Sequence, residues 1–251
     1  MTQAPTGIRM LPGSTDILIV APHAPIIDGE YQNDVRTGII AREIHRRLDC
    51  AAIINERYFK PKGAVKKCTR DFFLDLFRID HSRKVPGYLE HIQAIVETGA
   101  HTVVVWLHGI ADDVALSMGR EHLELGKLGA APETLCALIG YGQGGDPKTG
   151  DAHSALTAKD ETVELLCHRL TQQGMTTLPT HSGAWNFRGR DAKRLNQWFR
   201  QLGYGLERVE SIQLEIKEKG HRDSGPNAVN TGQCIADALA AISGGYAASG
   251  P

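Results

Sequence analysis

At the centre of the chain lies Thr102-Val103-Val104-Val105-Trp106-Leu107-His108-Gly109, a run of β-branched and aliphatic residues that ends on a histidine. The runs 16–23 and 211–215 end in a similar way, on His23 and on Glu215. Continuous runs of this kind are typical of strands that are buried on both faces of a parallel sheet. In open α/β sheets the ligand lies beyond the carboxyl ends of the strands. We therefore expect the two imidazoles and the carboxylate to meet at one edge of a sheet.

Strand and helix signals alternate on both sides of this central run. Residues 37–48 carry apolar side chains at helical spacing with charged residues on the other face. Further helices are expected over 86–98, 157–173 with Thr157 as N-cap, 191–202 and 232–242, and further strands over 50–55 and 134–139. The pattern predicts one α/β domain over residues 1–251, a three-layer α/β/α sandwich with a mixed, mostly parallel sheet.

The composition is that of an ordinary globular protein. Of the 251 residues 41% are hydrophobic and 23% are charged, and the formal net charge is -1. This balance gives no bulk attraction to nucleic acid or to an anionic membrane, and no apolar stretch reaches membrane-spanning length. The N-terminal residues lack the basic start and apolar core of a secretory signal. We expect a cytoplasmic protein with no nucleic-acid or membrane partner, and the pattern predicts no particular oligomeric state.

Five cysteines are spread along the chain, at positions 50, 68, 136, 167 and 234. Their odd number and wide spacing argue against a disulfide framework and against a cysteine-rich zinc module. Cys136 and Cys234 are expected to be small buried hydrophobic residues. We interpret the cysteines as structural.

The two strand-end histidines suit a zinc ion. A neutral imidazole is a common zinc ligand, and three protein ligands with one open position form the usual catalytic arrangement. His23 and His108 would supply two of these ligands. The loop after His23 offers three carboxylates for the third, Asp28, Glu30 and Asp34. We favour Asp34, because it stands just ahead of a predicted helix that would fix its backbone, and Asp28 is the strongest alternative.

Glu215 is the predicted general base. A carboxylate at the end of a buried strand, beside a metal-bound water, takes the proton of that water and passes it to a leaving amine. The alternative is a structural ion pair between Glu215 and a nearby lysine or arginine. The remaining helical histidines, His122 among them, are expected at the surface.

Candidate contacts to an anionic substrate lie elsewhere in the chain. Arg78 ends the segment 73–78 and Arg222 follows a glycine. Guanidinium groups bind carboxylates through two parallel hydrogen bonds, and they also stabilise an oxyanion. Asn186 lies between two aromatic residues and is a candidate polar contact. The glycine-rich segment 140–150 lacks the spacing of a phosphate-binding loop, and we expect a loop near the site there.

Taken together, these segments resemble the N-formylglutamate amidohydrolase-like superfamily, which is akin to the zinc carboxypeptidases and the poly-γ-glutamate hydrolases. The resemblance is carried, in chain order, by residues 20–23, 34–41, 55–58, 75–78, 107–109 and 212–215, with Arg222 downstream. It implies a phosphorylase/hydrolase-like α/β fold, one zinc ion, and hydrolysis of an amide bond next to a carboxylate. Among single residues, it implies metal positions at His23, Asp34 and His108, an acid/base at Glu215, and a contact to a carboxylate or oxyanion at Arg78 or Arg222.

Two positions depart from the family pattern. Phe77 stands where the family often has an asparagine before the arginine, and Ala24-Pro25 replaces the small pair that usually follows the first histidine. The substrate is therefore open among N-formylglutamate, another N-acyl amino acid, and a γ-glutamyl or peptide amide.

Three hypotheses follow. The first is a zinc-dependent amidohydrolase that acts on a small or short peptide-like substrate with a carboxylate. The second is a metal-binding or ligand-binding protein of the same fold without turnover. The third is a phosphate-ester hydrolase with two metals, which would need more ligands in one place than the sequence offers.

Overall fold

The computed structural model of this chain describes residues 5–25, 34–59, 72–142, 156–180 and 187–247, with side chains as far as Ile242. Asp28, Glu30 and Asn186, as well as most of the glycine-rich segment, lie outside the described residues.

Strands and helices alternate through the described residues. In chain order they are β1 (Ile8–Leu11), β2 (Ile17–Ala21), α1 (Thr37–Leu48), β3 (Ala51–Asn55), α2 (Ile79–Ser82), α3 (Tyr88–Thr98), β4 (Thr102–Ile110), α4 (Asp112–Glu124), β5 (Ala137–Gly140), α5 (Asp160–Gln172), β6 (Thr177–Pro179), α6 (Trp198–Gln201), β7 (Val209–Lys217) and α7 (Gly225–Ala247). Among the helices of the described ranges, none has the length and apolar character that a membrane span requires.

The strands form one mixed sheet in the order β1-β3-β2-β4-β7-β5-β6. The four central strands β3, β2, β4 and β7 are parallel to one another, and β5 and β6 are also a parallel pair. Antiparallel pairing occurs between β1 and β3 and between β5 and β7. The predicted mixed, mostly parallel sheet is confirmed.

Helices cover both faces of this sheet. We call the face that carries Trp106 and His108 the front face, and the opposite face the back face. The back face packs on α1, α5 and α7, and the front face packs on α2, α3 and α6, with α4 against its β5 side. The indole N–H of buried Trp106 donates to Ser211 Oγ at 2.8 Å, which ties β4 to β7 across the front face. The three-layer α/β/α architecture is confirmed.

The topology places a crevice between β2 and β4. The connection that leaves β2 leads to β3 on one side, and the connection that leaves β4 leads toward β5 on the other side, so the two diverge at the carboxyl ends of these strands. Such a switch point is where ligands bind in open α/β sheets. His23 follows β2 and His108 lies in the last part of β4, so both histidines sit at this crevice.

Four local predictions were wrong. Cys234 is only partly buried, whereas the sequence predicted a buried residue. Thr157 does not cap a helix, because α5 begins at Asp160 and the Thr157 hydroxyl donates to the Ser211 carbonyl at 2.6 Å. The helix expected over 191–202 is reduced to a 3₁₀ turn followed by the short α6. His122 is fully buried, not at the surface, because it lies on the packed side of α4.

Candidate functional site

Three of the predicted metal ligands lie together at the crevice. Asp34 Oδ2 is 3.1 Å from His23 Nδ1 and 3.0 Å from His108 Nδ1. All three side chains are buried, and the two imidazole rings have their centroids 5.0 Å apart. The convergence of strands from distant parts of the chain, which the sequence predicted, is therefore present.

The backbone around Asp34 fixes its position. Its N–H donates to the His23 carbonyl at 3.1 Å, and its own carbonyl accepts the N–H and the hydroxyl of Thr37, the first residue of α1. The start of the helix and the end of β2 are thus joined at Asp34. This is why the carboxylate points at both histidines.

The donor set fits a divalent metal ion. Ligand atoms around a tetrahedral zinc ion with bonds of about 2.1 Å lie roughly 3.4 Å apart. One ligand atom from each of His23, Asp34 and His108 lies within 4.8 Å of the other two, and the Nδ1 atom of each imidazole approaches the same carboxylate oxygen, Asp34 Oδ2. Two imidazoles with one carboxylate are ligands that zinc accepts.

A carboxylate that the sequence analysis did not assign orients His23. Asp75 Oδ1 lies 2.8 Å from His23 Nε2 and also accepts the Phe77 N–H at 3.1 Å. Its Oδ2 accepts a hydrogen bond from Arg194 at 2.7 Å. A carboxylate on the far nitrogen of a metal-binding histidine fixes the ring and its tautomer, so that Nδ1 is the nitrogen turned toward Asp34.

A signal for Asp75 was present in the sequence. It stands alone as a charged residue in the apolar stretch 72–77, and a buried carboxylate needs partners.

Electrostatic attraction outweighs burial within the cluster. Burial lowers the pKa of His23, but Asp75 and Asp34 raise it by more, so the pKa lies above the ordinary value. Burial raises the pKa of Asp34, yet His23 and His108 lower it by more, and the net pKa is strongly depressed. The carboxylate is therefore ionised, which is the state that a metal ligand requires, and a bound dication would displace the imidazole protons that face it.

Glu215 lies beside the cluster. In the parallel pairing of β4 with β7 it is the direct partner of His108, and it shares the front face with that residue. It is 5% exposed, and its Oε1 accepts a hydrogen bond from the Gln213 side-chain amide at 2.5 Å. The carboxylate is thus buried, held by an amide donor and placed next to a metal-ligand candidate.

Phe77 forms an aromatic wall of the site. Its ring is buried, with its centroid 4.3 Å from that of His108 and 5.4 Å from that of Trp106. The next residue, Arg78, leaves a third of its side chain exposed and binds Asp80 through two hydrogen bonds of 3.0 and 2.9 Å. Because Asp80 is itself more than half exposed, this guanidinium is accessible from solvent.

The second predicted arginine, Arg222, packs on the back face. Because His108 faces the front, the next residue of β4, Gly109, faces the back. A Cβ on Gly109 would lie 2.5 Å from the Arg222 guanidinium carbon, so this guanidinium packs directly on the back of β4. The guanidinium donates to the carbonyls of Ile216, Ile110 and, at 3.4 Å, Val35. These contacts hold the ends of β4 and β7 together.

Comparison with known proteins gives a likeness of fold. No family model and no curated protein matches the chain. An N-formylglutamate amidohydrolase from Ralstonia eutropha JMP134 matches with a TM-score of 0.56 at 13% identity, over 96% of this chain and 98% of that chain. A bacteriophage poly-γ-glutamate hydrolase matches with a TM-score of 0.53 at 11% identity, over 97% of this chain and 92% of the other. A gene product of Agrobacterium tumefaciens matches with a TM-score of 0.54 at 9% identity, over 94% and 96% of the two chains. The chain therefore shares its fold with these solved structures, as the resemblance of its sequence motifs implied.

Proposed function

We propose that the protein is a zinc-dependent amidohydrolase that cleaves an amide bond in a carboxylate-bearing substrate. One zinc ion would be held by His23, Asp34 and His108, with Glu215 as the acid/base. The observation that carries the proposal is the buried cluster of three possible ligand atoms, with Glu215 paired to His108 in the neighbouring strand.

The chemistry divides between the metal and the chain. When bound, a zinc ion lowers the pKa of water and polarises the carbonyl under attack. Glu215 accepts a proton from the attacking water and donates it to the leaving amine. Asp75 keeps His23 oriented, and Phe77 shields the front of the cluster from solvent.

Arg78 is the proposed contact to the substrate carboxylate. Two hydrogen bonds to exposed Asp80 support this role, because the guanidinium already binds one carboxylate through two bonds. A substrate carboxylate can replace this partner at little cost, since surface ion pairs contribute only about 0–1 kcal/mol. Arg222 is engaged by buried backbone carbonyls on the back face, and we do not give it a substrate contact. Asn186 stays a predicted substrate contact.

The substrate class rests on two likenesses. The solved structures of the same fold include an N-formylglutamate amidohydrolase and a poly-γ-glutamate hydrolase, and both names refer to a compound of glutamate. N-formylglutamate, other N-acyl amino acids and γ-glutamyl amides are therefore the candidates. A non-catalytic metal-binding protein is the second candidate function, since a buried ligand set alone would serve it.

Metal analysis combined with one substitution tests the proposal. We expect purified protein to bind one zinc ion and to hydrolyse at least one member of a panel of N-formyl-L-glutamate, other N-acyl amino acids and γ-glutamyl peptides. Glu215→Gln should keep the metal and the fold while the hydrolysis rate falls by about 10²–10⁴-fold, because a general acid/base contributes that much. Protein that binds no divalent metal contradicts the proposal, and full activity in Glu215→Gln contradicts the role of Glu215.

A further inference from the structure

We propose that Arg194 is a positioning residue of the metal centre, acting on His23 through Asp75; this inference rests on the proposed metal site. Arg194 is 119 residues away from Asp75 in sequence, and its Nη1 atom donates to Asp75 Oδ2 at 2.7 Å. Asp75 in turn holds His23 Nε2 with its other oxygen, at 2.8 Å. The two oxygens of one buried carboxylate thus join a guanidinium to a metal-ligand candidate.

The backbone places Arg194 rigidly. Arg194 and Arg78 form an isolated antiparallel β-bridge, and the residues on either side of the bridge are also hydrogen-bonded. The Ile79 N–H donates to the Lys193 carbonyl, and the Leu195 N–H donates to the Phe77 carbonyl, both at 2.9 Å. Arg194 therefore stands opposite the same segment that carries Asp75, and its reach to that carboxylate is set by main-chain pairing.

The segment that follows Arg194 is anchored in the core. Asn196 is fully buried, donates to Thr157 Oγ1 at 3.1 Å and accepts the Ser211 hydroxyl at 2.9 Å. Since Ser211 lies in β7 and also accepts the Trp106 indole N–H, this anchor is attached to the strands that carry His108 and Glu215. The position of Arg194 is thus fixed relative to the whole site.

Arg194 also approaches the second histidine through an aromatic ring. Its guanidinium carbon lies 6.0 Å from the centroid of the Phe77 ring, and that ring packs against His108 at 4.3 Å. A cation at this distance over an aromatic face is attracted to it. One arginine is therefore separated from each of the two histidine ligands by a single side chain.

Loss of the guanidinium should loosen His23 without unfolding the chain. Asp75 is buried, and without Arg194 its Oδ2 would lose a charge-assisted donor, so the carboxylate could rotate away from His23. The Arg194 side chain is itself 28% exposed, so its replacement leaves no large cavity. Partners of metal-binding histidines typically contribute 10–100-fold to metal affinity. Because Arg194 contacts the partner of His23 and not His23 itself, we expect its loss to lower the metal affinity by less, roughly 3–10-fold.

Cobalt(II) titration of the full-length apoprotein tests the inference. Its affinity is measured by competition with a chelator, and its visible absorption reports the ligand geometry. We expect Arg194→Gln to weaken cobalt binding by about 3–10-fold and to alter the spectrum, and Arg194→Lys to recover part of the loss because the charge remains while the fork is lost. Arg200→Gln is the matched control, since exposed Arg200 donates only to the nearby Tyr204 carbonyl among the contacts described.

A double substitution separates positioning from a general effect. Asp75→Asn should weaken cobalt binding by about 10–100-fold, and adding Arg194→Gln to that variant should cause no further loss, because Arg194 acts through Asp75. Wild-type affinity in Arg194→Gln, or equal losses in Arg194→Gln and Arg200→Gln, overturns the role of Arg194 while the metal site stands. A wild-type protein that binds neither cobalt nor zinc overturns the proposed function itself.

Discussion

The two sides of the candidate site are supported by different chemistry. On the His23 side, charged groups alternate from Arg194 to Asp75, His23 and Asp34. On the Glu215 side, the supporting Gln213 is a neutral amide that shares the front face of β7 with Glu215. Among the contacts described, the first side offers a chain of charges and the second side offers an amide dipole.

The difference matches the two roles proposed for these sides. A histidine ligand must keep one orientation and a carboxylate ligand must stay ionised, and the buried pairs of opposite charge favour both. An acid/base must gain and lose a proton, and a neutral amide can accompany either form without leaving an unpaired charge behind. The contacts therefore fix the side chains that would hold a cation, whereas the contact to Glu215 allows both its protonated and its ionised form.

The strongest way to break the charged side is to neutralise its centre. Asp34 faces both histidines, so Asp34→Asn removes one metal ligand and the negative charge between the imidazoles. We expect zinc affinity to fall by more than about 100-fold, beyond the loss caused by an outer partner of a ligand. Calorimetric titration of the apoprotein measures this, with Asp237→Asn as a control, since half-exposed Asp237 pairs with Arg47 at the surface. Tight zinc binding by Asp34→Asn would show that another carboxylate completes the ligand set.

The dipolar side can be tested with Gln213→Leu. Glu215 would lose the amide donor that holds its buried carboxylate in place. Because a misplacement of about 1 Å costs up to roughly 10²-fold in rate, we expect a loss of at least roughly 10-fold. We expect the hydrolysis rate to fall by about that factor while zinc stoichiometry and affinity stay unchanged. The matched control is Gln233→Leu, because Gln233 donates to Glu43 between α1 and α7, at 3.2 Å. A loss of zinc affinity in Gln213→Leu would contradict the division between the two sides.

The sequence predicted the parts of the site that local patterns mark. The central strands and α1 have strong apolar patterns, and the bounds of α1 were predicted to the residue. His23 follows β2, and His108 and Glu215 lie two residues before the ends of β4 and β7, so their meeting at one edge could be predicted. Asp34 could be preferred because a helix start fixes its backbone.

Contacts between distant segments could not be predicted in this way. Arg194 lies in a basic, helix-like pattern, yet it pairs with Arg78 in an extended segment, because Leu195 and Asn196 are buried by tertiary contacts. Tertiary packing overrides a weak local propensity in such places. The sequence placed His122 on a helix but gave no bounds for α4, because Gly119 weakens the helical pattern. The glycine is needed there, since a Cβ would lie 2.3 Å from the Pro132 carbonyl oxygen.

Substitution of Arg222 should have the smallest effect on zinc and substrate binding, because this arginine has a structural role and belongs to neither the His23 side nor the Glu215 side. Arg222 donates to buried carbonyls at the carboxyl end of β4, and Arg208 donates to the carbonyls of Glu97, Gly99 and Ala100 just ahead of the same strand. Because Arg222 is only 4% exposed, Arg222→Gln leaves buried acceptors unsatisfied and should lower the free energy of unfolding by about 1–3 kcal/mol.

Arg208→Gln should lower the free energy of unfolding less than Arg222→Gln, because water can replace a half-exposed donor. Urea denaturation measures both losses, and binding of N-acetyl-L-glutamate to the zinc-loaded protein measures the substrate contact. We expect both arginine variants to bind this probe like the wild type, whereas Arg78→Gln should bind it more weakly. Weaker probe binding in Arg222→Gln at full zinc occupancy, with Arg208→Gln unchanged, would place the substrate carboxylate at Arg222 and would extend the site around the ends of β4 and β7 to the back face.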